Sequence, residues 1–126
     1  MANSYVELQG KAGKYFQSRL IKVTFTWTSI ADGSYTETTD GYFCGRIVRL
    51  VTDPGATAPT DNYDVYLTDS DGGQIIGTQG ENRDTATTEG VNITAPGGYF
   101  AGTLTLTIAA AGAAKIGTVY VWIAPA

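Results

Sequence analysis

The chain has no histidine and a single cysteine, Cys44, among its 126 residues. The missing histidine removes the commonest general base, the serine and cysteine triads that depend on it, and most zinc sites. One cysteine allows no intrachain disulfide, and Cys44 beside Phe43 reads as a small packing residue. No stretch approaches the roughly 18 apolar residues of a membrane span. The opening Met-Ala-Asn-Ser-Tyr lacks the basic and apolar blocks of a signal peptide. The expectation is a protein made and used without classical export, and without a membrane partner. Leu, Lys and Glu, the common helix formers, are scarce. Charge is scarce as well, at 16% of residues. Free-standing soluble domains carry about 25%, so part of the surface is expected to be covered by a partner.

Glycine, by contrast, is plentiful at 16 residues, alongside frequent Thr, Val, Tyr and Ile. That is the composition of short strands joined by glycine turns. A chain of this length buries roughly two thirds of its unfolded surface, so it needs no disulfide or metal to fold. Charge is also unevenly placed. Lys11, Lys14, Arg19 and Lys22 share a stretch without acids, every acid except Glu7 lies between Asp32 and Glu89, and Lys115 is the only charge after Glu89. The net charge of −4 argues against general nucleic-acid binding. The early basic residues read equally as a local docking patch or as a solvated strand edge.

Leu20 to Thr28 alternates, with Ile21, Val23, Phe25 and Trp27 on one face, which predicts a half-buried strand. Ala31 to Ser34 is turn chemistry, and Tyr35 to Thr39 reads as a short exposed strand. Gly41 to Val51 reads as a strand stopped by Asp53-Pro54-Gly55. Tyr63 to Thr68 is the next, and Asp69-Ser70-Asp71-Gly72-Gly73 turns it into Gln74 to Gly77 as a hairpin. Thr78 to Glu89 reads as a polar loop, Gly90 to Ala95 as a strand with Val91 and Ile93 inward, and Pro96-Gly97-Gly98 as a turn. Thr103 to Ala109 alternates with Leu104, Leu106 and Ile108 inward, and Ala110 to Ala114 reads as a turn. Gly117 to Ala124 is apolar on both faces, Val119, Val121 and Ile123 against Tyr120 and Trp122. Such a strand is central in a fold or lies at an interface. The pattern predicts one all-β domain over residues 1–126, an antiparallel β-sandwich or jelly roll of about seven or eight short strands. Residues 1–19 are available as an extended docking arm.

The constellations that carry chemistry are weak. Asp69 and Asp71 faintly resemble a calcium loop, but the further oxygen ligands and distal Glu are missing, so a hairpin turn is the stronger reading. Gly97 to Gly102 precedes a strand rather than the helix a phosphate cradle needs. Asn92-Ile93-Thr94 matches a glycosylation acceptor without an export signal to support its use. Trp27, Tyr35, Tyr42, Tyr99 and Trp122 admit a sugar-stacking face, although core or interface packing is the stronger reading for the two tryptophans. No enzyme, cofactor or metal site is expected.

One segment is familiar. Arg49-Leu50-Val51-Thr52-Asp53-Pro54-Gly55, then Ala58 to Val65, then Leu67-Thr68-Asp69 with Asp71-Gly72, resembles small virion proteins of tailed bacteriophages and prophages. The similarity continues loosely through Asn82-Arg83-Asp84 and Ala111 to Ala114 to Gly117, over about the last two thirds of the chain. Some tailed phages carry jelly-roll cement or decoration proteins of this size on the capsid exterior. The resemblance therefore implies a structural role on the outer capsid surface, with the major capsid protein as partner. A tail or neck component, or a carbohydrate-binding module, remains as an alternative. Lys11, Lys14, Arg19 and Lys22 are the expected capsid-docking residues. Tyr120 and Trp122 are the expected contact residues of a dimer or trimer, because an apolar outer face asks for cover.

Overall fold

The structure, a computed structural model, describes residues 5–9, 20–94 and 99–125. Among these the strands are β1 (Tyr5–Gln9), β2 (Ile21–Thr28), β3 (Tyr35–Thr38), β4 (Phe43–Pro54), β5 (Asp64–Thr68), β6 (Glu89–Asn92), β7 (Phe100–Gly102), β8 (Thr105–Ala109) and β9 (Ile116–Pro125). They form two antiparallel sheets, one in the order β1-β2-β9-β4-β6 with β7 also on β4, the other β3-β8-β5. Pairing is nested along the chain: β2 with β9, β3 with β8, β4 with β7. That is the order of a jelly roll, and the all-β sandwich expected from the alternation is the fold.

Alternation explains the core. Val23, Phe25 and Trp27 of β2, Ile47 and Leu50 of β4, and Val119, Val121 and Ile123 of β9 point inward from the large sheet, and all are buried. Val65 and Leu67 of β5 and Leu106 and Ile108 of β8 meet them from the small sheet. Ile21 is only partly buried and packs at the margin of this cluster. Apolar residues alternating on facing sheets bury about 25 cal/mol for each Å² removed from water, which makes this layer the main stabilising contribution. Gly117 admits the Trp27 indole, since a Cβ there would fall 2.6 Å from Cζ2.

Several local expectations are revised. β3 is not an exposed strand throughout, because Glu37 faces inward at 8% exposure. β4 continues through Pro54. The Gly55 N–H reaches β9 at Ile116, so the nitrogen of Pro54 faces the other edge, beyond the last β6 pair at Thr52, and no ladder donor is lost. The turn after β5 forms, with Asp69 N–H donating to Gly73 O, but Gln74 to Gly77 contributes one bridge rather than a strand. The strand expected over Gly90 to Ala95 is Glu89–Asn92, and the Pro96-Gly97-Gly98 turn lies outside the described residues. Cys44 is exposed: Phe43 takes the inward position, so its neighbour must face out.

Candidate functional site: a cationic and aromatic sheet face

The outer face of the large sheet gathers side chains from four adjacent strands. β9 is central, as its two apolar faces require, and its outer face carries Tyr120 and Trp122, with ring centroids 6.1 Å apart. Lys22 on β2 is the register partner of Trp122. Its Nζ sits 4.5 Å from the Tyr120 centroid and 5.4 Å from that of Trp122. A lysine lays its methylene stem along apolar rings and keeps its ammonium over their electron-rich faces.

On the other flank β4 supplies Arg46 and Arg49, opposite Ala124 and Trp122 of β9. Residues three apart in a regular strand face opposite ways. Here a bulge between Ile47 and Arg49 inserts Val48, whose carbonyl accepts from Ile93 N–H at 3.0 Å. The extra residue returns Arg49 to the outer face, so both arginines stand with the rings. Arg49 Nη1 donates to Asn92 Oδ1 on β6 at 2.9 Å. The amide of the glycosylation-type triplet is thus used inside the face.

Among the described residues the single ion pair is Arg83 with Glu89, at 3.7 Å, so the patch cations enter none. Asp53, the acid further along β4, accepts instead from Thr88 Oγ1. The other pole of the molecule is acidic. Asp61, Asp64, Asp69, Asp71, Glu81 and Asp84 belong to β5 and the loops on either side of it. There Asp84 is held below the usual carboxylate range by backbone N–H groups of Ala86 and Thr87. The Tyr66 hydroxyl is pushed up to about 12, first because it donates to the Glu81 carboxylate. Asp69 Oδ1 accepts from the N–H groups of Asp71 and Gly73, so that carboxylate closes its own turn. No group of three His, Cys, Asp or Glu side chains converges among the described residues.

Sequence reasoning had Lys22 in one site and Tyr120 and Trp122 in another, and the structure makes them one surface. Lys11, Lys14 and Arg19 lie outside the described residues, although residues 5–9 of the same stretch pair with β2. Arg46 and Arg49 are not among the docking residues expected from the sequence. Their spacing of three was the available signal, since it demands either a buried arginine or a bulge. The aromatics weighed as a sugar-stacking row do not form one. Trp27 is in the core 5.8 Å from Tyr63, Tyr35 is on the other sheet, and Trp122 lies under Lys22. No protein-family model matches the chain, and no curated protein sequence matches it.

Proposed function

We propose that this is a structural protein of a tailed-phage virion, a cement or decoration protein that binds the assembled capsid and bridges neighbouring capsomers. The observation that carries the reading is the outer face of the large sheet. On it Lys22, Arg46 and Arg49 surround Tyr120 and Trp122, and among the described residues none of the three enters an ion pair. Such a surface suits adhesion to an acidic protein partner, because aromatic area supplies affinity and the charged rim steers the encounter. The resemblance to small phage virion proteins, which begins at Arg49, supplies the partner: the major capsid protein. A ligand that binds only the assembled shell stabilises it by its binding free energy, and many copies sum modest energies. The same face is a poor two-fold contact, since a second copy would set like cations against each other. The surface is therefore assigned to the capsid rather than to a dimer.

The test is to mix the purified protein with heads of the phage or prophage that encodes it and image the particles. Many regularly spaced copies on the head are expected. A handful of copies at the neck or tail would make it a tail component, and no attachment would overturn the reading.

A further inference from the structure

Arg49 is the patch cation whose place is built from more than one side. The Val48 bulge turns it outward, and Asn92 Oδ1 fixes Nη1 at 2.9 Å. Gly90 clears the ground beneath it, because a Cβ there would collide with the Arg49 guanidinium. A guanidinium held in this way keeps its remaining donors for a ligand, in a planar fork that matches a carboxylate. Lys22 stands on the far side of Trp122, two strands away, roughly 10 Å at the usual spacing.

We infer that this face takes an acidic polypeptide segment, with a partner carboxylate seated in the Arg49 fork and Gly90 and Asn92 acting as positioning residues. The inference rests on the capsid reading only for the source of that segment. A single-stranded nucleic acid fits less well. Its bases need open ring faces, and Lys22 covers those of Tyr120 and Trp122. A second copy placed face to face would bring cations onto cations.

Trp122 gives the readout. The folded full-length chain is titrated at low salt with poly-L-glutamate and, separately, with a polythymidine oligonucleotide, following tryptophan emission. Poly-L-glutamate is expected to bind saturably and to weaken with added salt. Arg49→Lys keeps the charge but loses the fork, and should weaken binding about tenfold. Gly90→Ala should weaken it comparably while Tm holds or rises, because alanine suits a strand better than glycine. A merely structural glycine would move both together. Unchanged affinity in Arg49→Lys, tighter binding of the oligonucleotide, or no binding of poly-L-glutamate would each overturn the inference. Head binding separates it from the broader reading. If heads bind parent, Arg49→Lys and Gly90→Ala alike, the clamp fails and the capsid role stands. If poly-L-glutamate binds through Arg49 and heads do not bind, the capsid role fails alone.

Discussion

At the scale of single residues, burial decides which side chains matter to stability. Leu106 is fully buried on β8, while its neighbour Thr105 faces outward with its hydroxyl 2.8 Å from that of Thr38. Leu106→Ala is expected to cost about 3 kcal/mol, through lost transfer energy and a residual cavity. Thr105→Ala should cost under about 1 kcal/mol, the worth of one exposed hydrogen bond. Urea denaturation of both variants checks this, and the reverse order would mean that β8 is inverted. Tyr63 sets an alkaline limit. Burial pushes its phenol up to about 12, above the value near 10 of an unfolded chain. A raised folded value ties the protonated form to the fold. The contribution is complete below about pH 10 and lost as pH rises through about 12, at most about 3 kcal/mol. Tyr66 works in the same direction through Glu81. Denaturation curves from pH 9 to 12 should therefore decline less steeply in Tyr63→Phe, and an unaltered decline would assign the effect elsewhere. The inward positions of Val23, Phe25 and Leu106 were legible in the sequence because alternation is local. The exposure of Cys44 was legible too, had the parity of β4 been counted from Phe43.

Elements were legible where a clearly alternating or wholly apolar run marked them, as for β2, β8 and β9. β7, three residues long, and β1 gave no such signal, because so short a run owes its conformation to the strand it pairs with. The candidate face was hidden for a related reason. Lys22 and Trp122 are register partners 100 positions apart, and no local pattern reports register. The Val48 bulge hid the arginines. Deleting Val48 would leave Arg46 and Arg49 two apart, so a regular strand would keep both outward with Ile47 and Leu50 inward. The Ile93 N–H loses its acceptor at the Val48 carbonyl, so a cost of about 1 kcal/mol is expected. Thermal unfolding followed by circular dichroism measures it, and a loss of the folded state would show that β4 needs the bulge for more than the direction of Arg49. β3, at the edge of the small sheet, carries Glu37 inward, with the Tyr35 hydroxyl donating to its carboxylate. An inward charge on a short edge strand discourages pairing with a stranger.

At the scale of the whole molecule, three cations and two rings gather on the outer face of the large sheet, while six acids lie on β5 and its flanking loops. If the cationic face serves the capsid, Tyr120→Ala and Trp122→Ala should lose occupancy on heads yet scatter light as the same mass as the parent. A parent larger than 13.3 kDa that falls to that mass in either variant would make the face a subunit contact instead. The position of β9 has a consequence for how the protein comes into being. It lies between β2 and β4 in the large sheet, yet it is synthesised after every other described strand. While the ribosome is still making residues 116–125, β2 and β4 have no partner along the edges they will share with it. The sheet can close only once β9 has emerged, and contacts so distant in sequence form slowly. A nascent chain with two apolar strands waiting for a third is open to aggregation, so the yield of folded protein should depend on how quickly translation passes through residues 116–125.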